Sequence, residues 1–315
     1  MTRHSLAATP DTVRIGQFDA TFPPVLTVQS GDSVAVECVS GRTGVLPPPG
    51  SGLVVPEALA GILAAHEPMG PGHIVTGPIA VAGAMPGDML EVRIDAIEPG
   101  ANWGYNLIRP LTGTLPEDFH ETVIMHIPVD PARRTCALPW GTELPLAPFF
   151  GVMGVAPPPA FGTVMSKEPR LHGGNLDNKE LTAGSTLYLP VWVEGGRFSV
   201  GDGHGVQGDG EVCVTALEMC LNGTFTFVLH KKQGPALAYP RAETPTHFIS
   251  MGMHEDMDQA MKTALREMIA FICTRSNLSR EQAYQFCSLA VDFRVTQSVN
   301  GEKGIHGMLR KGLLF

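Results

Sequence analysis

The sequence carries little positive charge and no long hydrophobic run, and each absence excludes a class of partner. Only 22 Lys and Arg residues stand against 31 Asp and Glu residues, which gives a formal net charge of −9 at pH 7. Without a basic cluster, binding to nucleic acid is not expected, because phosphate binding requires a basic surface. An anionic membrane surface is disfavoured for the same reason. No stretch approaches the roughly 18 consecutive apolar residues of a spanning helix.

Closely spaced cysteine pairs and the apolar core of a signal peptide are not found in the sequence either. The six cysteines are scattered without C-x-x-C spacing, which argues against a zinc knuckle and against a thioredoxin-type redox pair. The first 18 residues contain no apolar core of the kind found in signal peptides. We therefore expect a soluble cytoplasmic protein whose thiols are free and mostly buried.

Several familiar catalytic signatures are also absent. The chain has no G-x-S-x-G elbow, no phosphate loop and no dinucleotide fingerprint that follows a strand and opens a helix. The run Gly201–Gly205 is superficially similar to such a fingerprint, but it lies between predicted strands and Asp202 would repel phosphate. The pair Lys167 and Glu168 is typical of surface charge, not of an amidase lysine–carboxylate pair.

Glycine and proline are abundant, and their distribution predicts the fold class. The 36 glycines and 27 prolines favour many short strands joined by turns. A hydrophobic content of 43% and a charged content of 17% indicate a folded globular protein. The length of 315 residues suits one large domain or two halves, 1–165 and 166–315, interlocked as one unit.

The C-terminal part has helical periodicity instead. Apolar residues spaced by three and four predict a helix from Met257 to Thr274, and a capping box of Ser279 and Gln282 predicts a second helix to about Leu289. Alternation over residues 290–299 then predicts a strand that returns to the sheet. We predict a mainly β fold, a β-rich α+β class, in which repeated hairpins form sandwich-like or barrel-like sheets and a C-terminal pair of helices precedes the returning strand.

A Gly-Asp pair recurs three times between alternating stretches, at residues 31–32, 87–88 and 201–202. This pattern predicts three equivalent hairpins. In the third, the loop G-H-G-V-Q-G-D-G delays the next predicted strand, which would run from Glu211 to Glu218. The polar residues of this extra loop are candidates for function, since a hairpin does not require them. Alternatively, glycine turns simply recur in any β-rich chain.

The same region contains a possible metal site. Asp202 and His204 are two residues apart, so in extended chain they point to one side, and oxygen with nitrogen ligands suits zinc, manganese or iron. Glu218 shares the apolar face of its predicted strand and needs a cation, a metal or a proton as a partner. Asp177 could converge from another loop, near His172. In the alternative, Asp202 is the Asx residue of a turn, His204 is solvated and Asp177 caps a short helix.

The run from Gly173 to Glu218 resembles the signature region of the acetamidase/formamidase family. Residues 23–38, 76–99 and 288–311 resemble the same family, so the similarity covers most of the chain. The resemblance implies a β-rich, oligomeric, cytoplasmic enzyme that hydrolyses a small amide such as formamide or acetamide to ammonia and a carboxylate. We accordingly expect a homo-oligomer, a dimer or higher.

The resemblance also suggests roles for the polar residues of this region. We predict a divalent metal, with zinc first and calcium or manganese as alternatives, held by Asp177, Asp202 and His204. The predicted catalytic residues are Glu218, as general base and then acid toward the leaving ammonia, and Asp209. The predicted substrate-binding residues are His73, Asn175 and Glu211.

One element departs from the family pattern. Many members carry N-P-A-T-G-P-I where this chain has Gly72–Ile79, so His73 could be an added ligand or a specificity residue. Two alternatives therefore stay open. One is hydrolysis of another C–N bond, in a lactam, a carbamate or a larger amide. The other is a catalytically silent β-rich binding protein of the same fold.

Overall fold

Strands form most of the regular structure in the computed structural model, which describes residues 1–67, 69–232 and 236–314. The strands, in chain order, are β1 Arg3–Leu6, β2 Val13–Ile15, β3 Gln17–Phe18, β4 Leu26–Val28, β5 Ser33–Cys38, β6 Ile74–Val81, β7 Met89–Pro99, β8 Trp103–Ile108, β9 Val123–Asp130, β10 Thr135–Ala137, β11 Glu143–Pro145, β12 Phe149–Gly154, β13 Val164–Met165, β14 Gly173–Asn175, β15 Thr186–Pro190, β16 Phe198–His204, β17 Leu221–His230, β18 Arg241–Glu243, β19 His247–His254, β20 Val291–Gln297 and β21 Lys303–Arg310. The α-helices are α1 Glu57–His66, α2 Met257–Arg275 and α3 Arg280–Ala290, and short 3-10 turns occur at Thr43–Val45 and Pro159–Phe161.

Two large sheets pack face to face around the main core. One has nine strands in the order β1-β5-β17-β7-β15-β18-β19-β21-β20, and the other has the order β14-β12-β16-β6-β2 with β4 also paired to β6. Phe225 of β17 connects the layers, because its ring lies 5.6 Å from that of Phe150 on β12 and 5.8 Å from that of Phe198 on β16. The mainly β, sandwich-like fold class is confirmed.

A smaller sheet lies beside this sandwich. Its order is β11-β10-β9-β8, and a separate pair joins β13 to β3. The small sheet is tied to the rest of the molecule at Tyr105 of β8, whose backbone bridges to Glu218. Glu218 also bridges to His204 at the end of β16. This segment therefore brings the small sheet next to the candidate site.

The C-terminal helices follow the sequence prediction closely. The carboxylate of Asp256 caps α2 by accepting a hydrogen bond from the backbone N–H of Gln259 at 3.1 Å. The predicted capping box of Ser279 and Gln282 is present at the start of α3. After α3, β20 returns and pairs antiparallel with β21. Both helices and the returning strand are confirmed.

The hairpins predicted around the Gly-Asp pairs are not formed. Strand β4 pairs with β6, whereas β5, on the other side of Asp32, pairs with β1 and β17 of the nine-stranded sheet. The turn at Asp88 likewise leads from β6 in one sheet to β7 in the other. In both turns the carboxylate accepts a hydrogen bond from the backbone N–H three residues earlier, at Gln29 and at Met85. The two turns are therefore equivalent, but they connect layers.

The third Gly-Asp pair is not a turn. Gly201 and Asp202 lie inside β16, so the Asx-turn interpretation of Asp202 is wrong. A Cβ at Gly201 would lie 2.2 Å from the carbonyl oxygen of Ile74, so the glycine allows β6 to approach closely. The strand predicted from residue 211 to residue 218 is also wrong, because this segment is irregular and regular pairing resumes only at β17.

Strands from both predicted halves of the chain share the large sheets. Strand β17, from the second half, lies between β5 and β7, from the first half. The division into 1–165 and 166–315 therefore stays a prediction. Within the described residues, none of the helices combines the length and the apolar character needed to span a bilayer.

Candidate active site

Four buried carboxylates surround one buried imidazole where β16 ends. His204 lies at the centre, with its Nε2 atom 3.3 Å from Oδ2 of Asp202 and 3.2 Å from Oε1 of Glu218. Possible ligand atoms of Asp177, His204 and Glu211 form a second group, within 4.8 Å of one another. His204 and Asp177 are each 0% exposed. The structure thus brings together the three predicted metal ligands, the predicted base and one predicted substrate-binding residue.

The backbone that carries this cluster is unusual. Asp202 and His204 share one side of β16, as their spacing predicted. Asp177 follows β14 and its backbone N–H donates to the carbonyl of Gly151 at 3.1 Å. Asp177, Asp202 and Glu211 have φ angles of 45°, 57° and 42°, in the left-handed region that non-glycine residues rarely adopt. Such conformations cost free energy and concentrate at functional sites.

Gly151 of β12 forms the floor of the cluster, and sequence reasoning did not identify it. A Cβ at this position would lie 2.6 Å from Oδ1 of Asp177, 2.6 Å from Oδ2 of Asp202 and 3.0 Å from Cε1 of His204. Only glycine leaves the space between these three side chains open. The available signal was an isolated glycine inside an apolar strand, which is typical of a close approach.

Gln207 fixes the orientation of the imidazole. Sequence reasoning included it among the polar residues of the extra loop but assigned it no role. Its Nε2 atom donates to the backbone carbonyls of Asp177 at 2.9 Å and Thr296 at 3.2 Å. Its Oε1 atom, which can only accept, therefore faces Nδ1 of His204 at 2.9 Å, and that nitrogen carries the proton. The Nε2 atom of His204 then points at the carboxylates of Asp202 and Glu218, to which it donates when protonated and beside which it can bind a cation when it is not.

Asn300 supports the opposite side of the cluster. It lies in the turn between β20 and β21, and its Nδ2 atom is 3.1 Å from Oδ2 of Asp177 and 3.5 Å from Oε2 of Glu211. The donor stabilises two acids that share a small buried volume. No local pattern indicated this residue, because the contact spans 123 positions of the chain.

The electrostatics of the cluster are dominated by burial. Burial raises the pKa of Asp177 to about 8 and the pKa of Glu218 to about 7. For Glu211, burial together with the nearby charge of Asp177 raises the pKa well above its ordinary value. Burial opposes ionisation of Asp202 too, but His73 and His204 hold its pKa below the ordinary value. Burial lowers the pKa of His204, but the adjacent Glu218 and Asp202 outweigh it and raise that pKa. The acids outnumber the bases, so the site must hold protons or a cation.

The donor set fits a divalent cation. Within the described residues, Oδ1 of Asp177 is buried without a hydrogen-bond partner, which is rare in proteins, and Nε2 of His204 faces the carboxylates of Asp202 and Glu218. Carboxylate oxygens combined with an imidazole nitrogen suit zinc or manganese. Calcium is less suited, since it prefers oxygen ligands throughout.

Three other predicted residues lie at different distances from this cluster. His73 is next to it, and its Nε2 atom lies 3.6 Å from Oδ2 of Asp202. The His73 side chain is 25% exposed, and its Nδ1 atom lies 3.0 Å from Oγ of Ser166. Asn175 is buried opposite Val152 in the pairing of β14 with β12, and its Oδ1 atom has no hydrogen-bond partner in the described part of the chain.

Asp209 lies apart from the groups of possible ligands. Its side chain is 38% exposed and forms an ion pair with Lys179 at 3.1 Å. This position favours a role in holding the loop. The predicted roles of Asp209, Asn175 and His73 stay predictions.

Comparison with known proteins yields one consistent group. The model of the acetamidase/formamidase family matches residues 12–168 and 160–303. A formamidase from Methylophilus methylotrophus is 30% identical over 254 residues, which cover 63% of this chain and 59% of the relative. An acetamidase from Mycolicibacterium smegmatis is 29% identical, over 61% of this chain and 59% of that protein. The matched region thus spans about three fifths of the length of these relatives.

A solved structure extends the similarity to nearly the whole fold. The crystal structure of a predicted acetamidase/formamidase from the thermophile Thermoanaerobacter tengcongensis superposes with a TM-score of 0.86 at 26% identity. The alignment covers 99% of this chain and 97% of that one. The sandwich, the small sheet and the helical pair are therefore shared with a solved relative.

Proposed function

Because the chain belongs to the acetamidase/formamidase family, we propose that it hydrolyses the C–N bond of a linear amide and releases ammonia and a carboxylate. The observation that carries this proposal is the Nε2 atom of His204, buried between the carboxylates of Asp202 and Glu218 above the floor left open by Gly151. The names of the relatives, a formamidase and an acetamidase, support the same reaction class. A silent binding protein is disfavoured, because the predicted residues are not dispersed over the surface.

Asp177, Asp202 and His204 would hold a divalent cation, with zinc as the first choice and manganese as the alternative. When bound, such a cation supplies Lewis acidity, which polarises an amide carbonyl and lowers the pKa of water. Gln207 contributes by keeping the proton on Nδ1 of His204, so that Nε2 is available as a ligand. Asn300 contributes by binding Oδ2 of Asp177, which orients the other oxygen into the cluster.

Glu218 would be the general base and then the general acid. Burial places its pKa at about 7, close to the value at which a carboxyl group can both accept and donate a proton near neutrality. The backbone N–H of Ala216 donates to its Oε1 at 3.0 Å and fixes the carboxylate. Glu218 would take a proton from the attacking water and deliver it to the amide nitrogen, a poor leaving group unless protonated. Asp202 is less suited to this role, since its pKa is held low.

The remaining predicted roles concern binding and assembly. Glu211, with its raised pKa, would donate a hydrogen bond from its protonated carboxyl group to the substrate, and His73 would contact it from the partly exposed side. We also propose a cytoplasmic location, which the free state of all six cysteines supports, and a homo-oligomer. Sedimentation or light scattering would test the assembly, and a monomer at micromolar concentration would contradict it.

The direct experiment is ammonia release from formamide and acetamide, combined with elemental analysis of the purified protein. We expect bound zinc or manganese and loss of activity after chelation, with recovery when the metal is restored. Full activity in a metal-free preparation would refute the cation while leaving the amidase intact. Failure of the metal-replete protein to release ammonia from any amide would refute the proposed function.

A further inference from the structure

A cavity of about 320 Å³ lies between the extra loop of the third Gly-Asp segment and the small sheet. Strands β8 to β11 form one wall, and residues 206–217 form the other. The lining is mostly apolar and includes Met125, Leu138, Leu144, Val206 and Leu217. The irregular segment between β16 and β17 thus encloses a space against the small sheet.

This cavity adjoins the carboxylate cluster directly. Three of its lining residues contact cluster members: Gln207 binds His204, Glu211 belongs to the cluster, and Ala216 donates its N–H to Glu218. Glu211 thus belongs to both the cluster and the cavity lining, and an amide bound beside it has this cavity as the adjacent space for its acyl group.

We propose that the cavity is the acyl-binding pocket and that the preferred substrates are primary amides with apolar acyl groups larger than acetyl. This inference rests on the proposed amide hydrolysis and specifies its substrate class. The occupant is an alkyl or aryl chain, because most of the lining offers methyl, methylene and thioether groups. The two carboxylates in the lining already have partners, since Asp209 pairs with Lys179 and Glu211 lies beside the amide of Asn300.

The size of the cavity supports this class. Pockets that bury a drug-sized ligand have volumes of roughly 300–1,000 Å³, whereas acetamide has only four non-hydrogen atoms. At ~30 Å³ per water molecule, the 320 Å³ correspond to about ten waters. A substrate as small as formamide would leave nearly all of this apolar space without a partner.

Polar groups in the walls are already engaged within the protein. Asn106 of β8 lines the cavity, and its Nδ2 atom donates to the carbonyls of Thr215 at 2.9 Å and Ala216 at 3.1 Å. These bonds attach the loop to the small sheet and keep the pocket open. They also leave this side chain's donors in use, which favours an apolar ligand over a polar one.

The mouth of the cavity is apolar as well. Trp140 and Val212 line it and are 68% and 62% exposed. An acyl chain that extends through the cavity would cover both side chains, and their removal from water would contribute to binding. Alternatively, a partner subunit covers Trp140 and Val212, and the experiment below distinguishes this from binding of an acyl chain.

The test is kcat/KM for ammonia release along a series from formamide and acetamide to butyramide, hexanamide and benzamide. We expect kcat/KM to rise about threefold to fourfold with each methylene group that enters the pocket, until it is full. Met125→Trp, which fills the cavity, should lower the ratio of hexanamide to acetamide activity at least tenfold. Leu144→Phe fills it from β11, another strand of the same wall, and should act in the same direction. Leu289→Trp, at an 86% exposed position on α3, is the matched control.

Measuring the affinities of hexanamide and acetamide by calorimetry tests the acyl-binding pocket independently of amide hydrolysis. If no amide is hydrolysed, the proposed function fails, but tighter binding of hexanamide that Met125→Trp abolishes would still support the pocket. Best activity on formamide with a steady fall along the series would overturn the inference. So would equal binding of the two amides, or a dimer in which Trp140 is buried against the second copy.

Discussion

Replacement of Gly151 by alanine should abolish the proposed amide hydrolysis while leaving the protein folded. The added Cβ would lie 2.6 Å from carboxylate oxygens of both Asp177 and Asp202, closer than real Cβ contacts allow. Both side chains, or the strand itself, must shift by about 0.5–1 Å, and a misplacement of this size costs on the order of 100-fold in rate. Overpacking of this kind costs about 1–3 kcal/mol of stability, which a domain of this size tolerates.

The assay compares kcat/KM, metal content and the thermal unfolding midpoint of Gly151→Ala with those of the native chain. Gly61→Ala is the control, because its Cβ would meet nothing within 4 Å and the residue lies in helix α1. We expect the control to remain active and to gain about 0.5–1 kcal/mol of stability from the improved helix propensity. A Gly151→Ala protein with native activity and native metal content would refute the geometry assigned to this site.

Three further predictions concern separate features. Gln207→Leu should weaken metal binding about 10–100-fold, because His204 loses the acceptor that fixes its tautomer, and metal titration with a competing chelator measures this. Ser279→Ala should lower the free energy of unfolding by about 1 kcal/mol through loss of the helix cap, as measured in urea, and an unchanged midpoint would contradict the capping box. For Asp32, hydrogen bonds from the N–H groups of Thr2 and Gln29 lower the pKa from 3.8 to about 2. The native pKa lies below the unfolded one, so this stabilisation is present above about pH 4 and is lost as the pH falls toward 2. Asp32→Ala should therefore lose less stability than the native chain over that interval, and parallel acid-unfolding curves would refute the contribution.

The helical elements could be predicted from the sequence because their signals are local. The stripe on α2 and the capping box of Ser279 depend on residues three and four positions apart, and the structure reproduces both. Strand pairing was not predictable in this way. The partner of β4 is β6, and β17 lies between β5 and β7, so the pairing depends on contacts between distant segments. Alternation identifies a strand and its faces, but it does not identify its neighbour.

In the candidate site, too, residues marked by a local pattern were predictable and residues that depend on distant contacts were not. Asp202 and His204 were predictable together, because a spacing of two places them on one side of a strand. Glu218 and Asp177 were singled out from their local sequence as well, and the family resemblance suggested roles for them. The role of Gln207 and the presence of Asn300 could not be predicted, since both depend on bonds to groups 30 and 123 positions away. In the amino-acid sequence, a polar loop residue that fixes a histidine tautomer cannot be distinguished from one that is merely solvated.

The central claim is that the buried cluster hydrolyses amides with Glu218 as its proton carrier. The most direct test is the rate of ammonia release by metal-loaded Glu218→Gln, which is close in size to the native side chain but cannot accept the proton. We predict a loss of about 100-fold to 10,000-fold in kcat with the metal content of the native protein retained. A Glu218→Gln protein that releases ammonia at the native rate would contradict the account.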